Sequence, residues 1–271
     1  FNFMNKNKIG FIGCGNMGAA IIKGITEAGV VEKSKVFAFD PYEPSIDRAV
    51  KDYGITKCSN AKEIVMNSDF VILAVKPNMI AAVLEEINFE LEKKDIVVIS
   101  IAAGKTLEFL RDNLTHDCKL VRIMPNINAK VAAACSAYCT NNLVTDEEKK
   151  EIEKIFGAVG TILALPESSF SLFGVLAGCS PAFVYMFIDA LARAGVKNGM
   201  KKDVALKIAA QSVLGSAKLI SESDTHPFDL IDQVCSPGGT TIEGVTSLQA
   251  DGFEAAIHNA VDKAIDKDSK L

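Results

Sequence analysis

The hexapeptide Gly13-Cys14-Gly15-Asn16-Met17-Gly18 has the spacing G-x-G-x-x-G, the pattern of a loop that seats a pyrophosphate. Glycines punctuate many loops, so the pattern alone is weak and a purely structural turn is the alternative. Its context strengthens it: an apolar run, Ile9 to Gly13, precedes it, and a helical pattern, Ala19 to Glu27, follows. Each glycine has its own task. Gly13 permits the tight turn, Gly15 leaves no Cβ where the pyrophosphate must approach, and Gly18 lets the helix pack against the strand. The phosphates would face unpaired N–H groups at a helix N-terminus, where the dipole favours an anion. The chemistry on offer is that of a nicotinamide dinucleotide, which is hydride transfer.

Other positions fit the same ligand. Asp40 ends a second apolar run, Lys35 to Asp40. A carboxylate there accepts both ribose hydroxyls and repels a 2′-phosphate, which tilts the expectation toward NADH over NADPH. The alternative is a cap for the turn Asp40-Pro41-Tyr42. Asn60 is either a helix N-cap or a contact to the adenosine ribose. Ala74-Val75-Lys76-Pro77 and Ala102-Ala103-Gly104 lie just past the carboxyl ends of predicted strands, the edge where open parallel sheets bind ligands. Small residues there leave room for the nicotinamide half. Lys76 is a phosphate or ribose contact, a solvated side chain, or an acid. Far along the chain, Ser236-Pro237-Gly238-Gly239-Thr240-Thr241-Ile242 is too glycine-rich to continue a helix, yet a helical pattern follows it. It can offer consecutive N–H groups and two hydroxyls to a carboxylate, or serve as an ordinary helix–helix connection.

These residues need elements to hold them. Strand-like runs at Phe70–Val75, Asp95–Ile101 and Lys119–Met124 alternate with helical patterns at Pro44–Tyr53, Met79–Ile87 and Leu107–Leu114. Several runs are continuously apolar, as a sheet covered on both faces requires. The pattern predicts an α/β chain whose N-terminal domain, residues 1–165, is a Rossmann-type doubly wound parallel sheet. After residue 165 strand signals stop. Helical stretches at Leu172–Lys197, Lys202–Ser221 and Gly252–Lys267 predict an all-α C-terminal domain, residues 166–271. It carries more apolar surface than a domain of its length usually buries alone. An interlocked homodimer would cover the excess, and a compact monomeric bundle is the alternative.

Bulk properties exclude several classes. A net charge of −5 and the lack of a basic run give no footprint for nucleic acid or an anionic membrane. Seven scattered cysteines read as free thiols in a reducing compartment. Phe1 to Met4 show no signal-peptide pattern, so the expected location is the cytoplasm. Cys135 and Cys139 could share a helix face, but the chain has only three histidines, and no metal is expected. Leu172 to Leu191 contains Pro181 and Asp189, which predicts a buried helical segment rather than a membrane span.

The chain resembles the Δ1-pyrroline-5-carboxylate reductase family in Phe11 to Gly18, Ala74 to Pro77, Ser100 to Gly104, Arg122-Ile123-Met124-Pro125-Asn126 and Val234 to Ile242. Gln211, Gly215 and Lys218 match a family helix, and His226-Pro227 precedes the glycine loop as it does there. The resemblance implies reduction of 1-pyrroline-5-carboxylate to L-proline with NAD(P)H, in proline biosynthesis. It implies a helical C-terminal domain that forms an interlocked homodimer, often assembled further. By position it assigns the dinucleotide phosphates to Gly13, Gly15, Asn16, Met17 and Gly18, and the surroundings of the nicotinamide ribose to Lys76 and Pro77. It assigns the substrate carboxylate and ring nitrogen to Ser236, Gly238, Gly239, Thr240 and Thr241. One segment departs: where the family usually has Ser-Gly-Ser-Gly-Pro-Ala-Tyr, this chain has Ala177-Gly178-Cys179-Ser180-Pro181-Ala182-Phe183.

Such a reaction suits a chain without an obvious acid. Reducing a ketone creates an alkoxide and calls for a positioned His, Lys or Tyr. A protonated cyclic imine already carries its charge, and hydride neutralises it, so the protein must mainly position the ring and exclude water. Thr241 is the expected group nearest the ring nitrogen, as hydrogen-bond partner or proton relay. No chemistry is assigned to His116, His226 or His258. The rival readings are a reductase of a related imino acid, a 3-hydroxyacid dehydrogenase, and a non-catalytic dinucleotide sensor. The sensor would have no use for the Ser236 to Ile242 segment.

Overall fold

In a computed structural model the described residues run from 7 to 270, so the expectation for Phe1 to Met4 lies outside them. Three strands, β1 (Ile9–Ile12), β4 (Phe70–Leu73) and β5 (Val97–Ser100), are buried at every residue. Their side chains divide between two cores by the twofold period of a strand. Phe70, Ile72, Val97 and Ile99 join one core with Ile21, Ile25 and Ile46. Val71, Leu73 and Val98 join the other with Ile64, Leu84 and Ile87. The first core is closed by α1 (Asn16–Glu27) and α2 (Glu43–Tyr53), and the second by α3 (Ala61–Asn67) and α4 (Ile80–Glu92). This is why these strands read as unbroken apolar runs.

The sheet has eight strands in the order β3-β2-β1-β4-β5-β6-β7-β8. The remaining strands are β2 (Val36–Phe39), β3 (Thr56–Lys57), β6 (Lys119–Met124), β7 (Ala134–Thr140) and β8 (Gly160–Ala164). Pairings from β3 across to β6 are parallel. The expectation of a parallel sheet needs one correction. β7 runs antiparallel to β6, with Ile123 opposite Tyr138, and β8 pairs parallel with β7. The connection from β6 to β7 holds a short 3₁₀ turn, Ile127–Val131, where a parallel partner would need a long crossover. Cys135 and Cys139 therefore lie on a strand and not on a helix face.

Helix α5 (Leu107–Asp112) precedes β6, and α6 (Asp146–Gly157) joins β7 to β8. The latter opens with a capping box, in which Thr145 and Glu148 satisfy each other's backbone N–H groups. A short α7 (Phe170–Phe173) continues into a π-helical turn, Gly174–Cys179.

The chain divides into two compact units, with the boundary between Gly178 and Cys179. The change in sequence pattern lies earlier, at 165/166. The second unit contains α8 (Ser180–Lys197), α9 (Lys202–Ser221), α10 (Pro227–Val234), α11 (Thr240–Ala250) and α12 (Phe253–Asp268). Ala192, Ala205 and Ala209 let α8 and α9 approach closely. The expectation that Leu172 to Leu191 is buried fails within one chain: Tyr185 is 56% and Met186 72% exposed, with Leu214 at 61% on the neighbouring helix. By length and composition alone, the helical stretches Glu167–Lys197 and Lys202–Ser221 could cross a membrane. An apolar surface of this kind marks an interaction face.

Candidate functional site

The glycine loop is held between two strand ends. Gly13 N–H donates to Phe39 O at 2.8 Å, and Ala74 N–H donates to Ile12 O at 2.8 Å. Gly13 adopts φ +103°, and a Cβ there would sit 2.5 Å from Ala74 O. A Cβ on Gly18 would sit 2.6 Å from Gly13 O. Gly15 differs: its φ of −65° suits any residue, and a Cβ there would meet nothing within 4 Å. Gly15 caps α1 without a side-chain acceptor, and the first turn carries no acidic residue. The N-terminal N–H groups of α1 are thus left for an outside acceptor. Asn16 is exposed beside them, while Met17 is half-buried and packs against the core. A cradle that a Cβ would fill, on an uncapped helix end, fits a pyrophosphate.

Both oxygens of Asp40 accept main-chain N–H groups, Oδ2 from Cys14 at 2.7 Å and Oδ1 from Tyr42 at 2.8 Å. The carboxylate caps the turn that follows β2 and also braces the glycine loop. Asn60 is the N-cap of α3, its Oδ1 accepting the Glu63 N–H at 2.9 Å. Ala74 and Val75 follow β4 directly and are half-buried against the two cores, while Lys76 and Pro77 are exposed at the start of a 3₁₀ turn. Past β5, Ala102 is buried in the core, and Gly104 is exposed with φ +72°. Gly13 to Gly18, Asp40 and Ala74 to Pro77 thus gather at the carboxyl edge of adjoining strands, with Ala102 and Gly104 at the same edge after β5.

Two features of this unit had no role assigned from the sequence. Lys23, Arg48 and Lys130 line a 320 Å³ groove with Cys14, Gly15 and Asn16, and none of the three forms an ion pair among the described residues. Three elements supply these cations, so no run of sequence announces them. Asn126, at the end of β6, is buried; its Nδ2 donates to Ala177 O at 2.9 Å and its Oδ1 accepts the Cys135 N–H at 3.2 Å. It holds the π-helical turn in which the departing segment begins. A lone Asn after a strand gives no periodic signal.

In the second unit, Ser236 O accepts the Gly239 N–H at 3.0 Å. With Pro237 second and Gly238 third at φ +67°, this is the residue pattern of a type II turn. A Cβ on Gly239 would lie 2.4 Å from Ser236 Oγ and 3.1 Å from Ser236 O, so a larger residue there would have to turn the serine hydroxyl aside. Gly239 then caps α11, again with no side-chain acceptor, and Thr240 and Thr241 form the first turn. Ser236, Gly238 and Thr240 are exposed, and Thr241 is half-buried. The turn gathers free N–H groups and three hydroxyls, which suits a carboxylate.

All seven cysteines are free thiols. Burial, reinforced by Asp40, pushes the Cys14 thiol up to about 12, and burial raises Cys58, Cys118 and Cys139 to about 11. None of these four is primed as a nucleophile. Among the described residues no group of three His, Cys, Asp or Glu side chains converges as a metal site would.

Residues 167–271 match the family described as pyrroline-5-carboxylate reductase dimerisation. Residues 8–104 match one described as NADP oxidoreductase coenzyme F420-dependent. The pyrroline-5-carboxylate reductase of Escherichia coli K12 is 42% identical over 266 residues, 98% of each chain. Among solved structures, a Coxiella burnetii pyrroline-5-carboxylate reductase superposes with a TM-score of 0.94 at 29% identity, covering 98% of both chains. The Plasmodium falciparum pyrroline carboxylate reductase with NADP bound gives a TM-score of 0.83 at 32% identity over the same share of each chain.

Proposed function

The chain belongs to the pyrroline-5-carboxylate reductase family, and from that membership we infer that it reduces 1-pyrroline-5-carboxylate to L-proline with NAD(P)H. The observation that carries this reading is likeness along 98% of the chain, spanning both the glycine loop and the Ser236–Thr241 turn. Bound NAD(P)H supplies the hydride. Gly13, Gly15, Asn16, Met17 and Gly18 hold its phosphates through the open end of α1, while Ala74 to Pro77, Ala102 and Gly104 border its nicotinamide half. Asp40 and Asn60 border the adenosine ribose, Asn60 with its Oδ1 already engaged by the helix it caps. Ser236, Gly238, Gly239 and Thr240 receive the substrate carboxylate. Thr241 lies nearest the ring nitrogen, as its hydrogen-bond partner or proton relay.

The reading is tested by the steady-state oxidation of NADH and NADPH with pyrroline-5-carboxylate, compared with six-membered cyclic imines and keto acids. Turnover confined to keto acids would sink it. For Thr241→Ala, kcat/KM is expected to fall roughly 10–100-fold, the worth of a hydrogen bond to a charged partner. Thr241→Ser should recover most of that loss, and the thermal midpoint should hardly move. An unchanged rate in Thr241→Ala removes this residue from the mechanism.

The apolar faces of α8 and α9 are covered by a second copy of the chain, as an interlocked homodimer that can assemble further, and the protein is soluble and cytoplasmic. Light scattering on the purified protein without detergent should give at least twice the chain mass. A monomer, or recovery only with membranes, contradicts the assignment.

A further inference from the structure

We propose that Asp40 makes this enzyme favour NADH over NADPH while serving at the same time as the brace of the glycine loop. The proposal rests on the reading that the loop holds a dinucleotide, and it concerns the chain's own carboxylate. Asp40 follows β2 directly, where the acid of a nucleotide-binding sheet meets the adenosine ribose. Its two oxygens are tied to Cys14 N–H and Tyr42 N–H, at 2.7 and 2.8 Å, so the group cannot rotate away from an incoming ligand. It forms no ion pair among the described residues, so its charge is not neutralised. That charge already acts on its surroundings, being the second cause of the raised Cys14 thiol after burial. Ribose hydroxyls can donate to the carboxylate's remaining lone pairs. A 2′-phosphate brought to the same place meets a fixed like charge.

The opposing feature is the groove lined by Lys23, Arg48 and Lys130. Arg48 and Lys130 are exposed on long side chains, where water and salt screen them. The carboxylate is half-buried and immobile. The fixed charge therefore decides.

Adenosine 5′-monophosphate and adenosine 2′,5′-bisphosphate differ only in the 2′-phosphate, and titration calorimetry on the full chain compares them without turnover. The monophosphate is expected to bind at least tenfold more tightly, and added salt should narrow the gap by screening the repulsion. Asp40→Ser should raise affinity for the bisphosphate, while Arg48→Ala should change the gap little. If the Ser variant loses loop support and fails to fold, the wild-type comparison and its salt dependence decide alone. Equal or tighter binding of the bisphosphate, or a gap that widens with salt, overturns the proposal. If neither nucleotide binds, the dinucleotide reading falls with it. If both cofactors are used equally in imine reduction, that reading stands and only the preference fails.

Discussion

Gly15→Val is expected to fold as the parent does and to lose nucleotide affinity by about a hundredfold or more. The three loop glycines look alike in sequence but differ in what holds them. Valine at position 13 would need a strained φ of +103° and a Cβ 2.5 Å from Ala74 O. Valine at position 18 would press on Gly13 O. Both changes disturb the fold itself, by about 1–3 kcal/mol or more each. Position 15 has an ordinary backbone and open space around an added Cβ. Nothing in the chain demands glycine there; on the proposed reading it is the bound pyrophosphate that needs the space. A side chain in that space blocks the approach to the α1 N–H groups, and about 3 kcal/mol of lost binding corresponds to that hundredfold. Titration with NADH alongside thermal melting separates the two effects. A variant that binds NADH normally would falsify the pyrophosphate assignment, and one that melts as early as Gly18→Val would mean the open space is not real.

That difference between three identical residues shows where a sequence stops speaking. The G-x-G-x-x-G spacing and the buried strands at Ile9, Phe70 and Val97 were legible because burial on both faces writes itself as an apolar run. Strand β7, Ala134-Cys-Ser-Ala-Tyr-Cys-Thr140, carries no such run and gives no strand signal, and neither does two-residue β3, which exists only through its pairing with β2. Helix α6 is marked in the sequence by Thr145 and Glu148, spaced as a capping box. Asp40 and Asn60 each had two readings. The structure shows the capping role of both, and for Asp40 adds a bond to Cys14, 26 residues away, that no local pattern encodes. The exposed face of α8 is illegible for a related reason: an apolar helix has the same pattern whether its partner lies in its own chain or in another.

Glu167 is the clearest case of a contact that only the folded chain reveals, and Glu167→Ala is expected to destabilise the protein by about 2–3 kcal/mol. Arg122 lies on β6 with its side chain 8% exposed. Its Nη1 donates to Glu167 Oε1 at 2.9 Å, and its guanidinium sits 4.6 Å from the centre of the Phe170 ring. The same Oε1 accepts the Leu107 N–H at 2.9 Å, satisfying the first turn of α5 alongside the Thr106 cap. One carboxylate thus pins the segment leaving β8 to both a strand and a helix. Removing it leaves a buried cation without its counter-charge, which costs about 3–5 kcal/mol when water is fully excluded. Glu167 is 30% exposed on its side chain, so water can partly replace it and the lower figure applies. Removing both charges is a different experiment. Arg122→Met combined with Glu167→Ala leaves no orphan cation, and the pair should recover much of the loss. Denaturant unfolding of the two single variants and the double variant measures this directly. A Glu167→Ala protein within about 0.5 kcal/mol of the parent, the range of ordinary surface changes, would show that Arg122 finds water or another partner. A double variant no more stable than Glu167→Ala would show that the loss came from Leu107 N–H and α5 rather than from the orphaned charge.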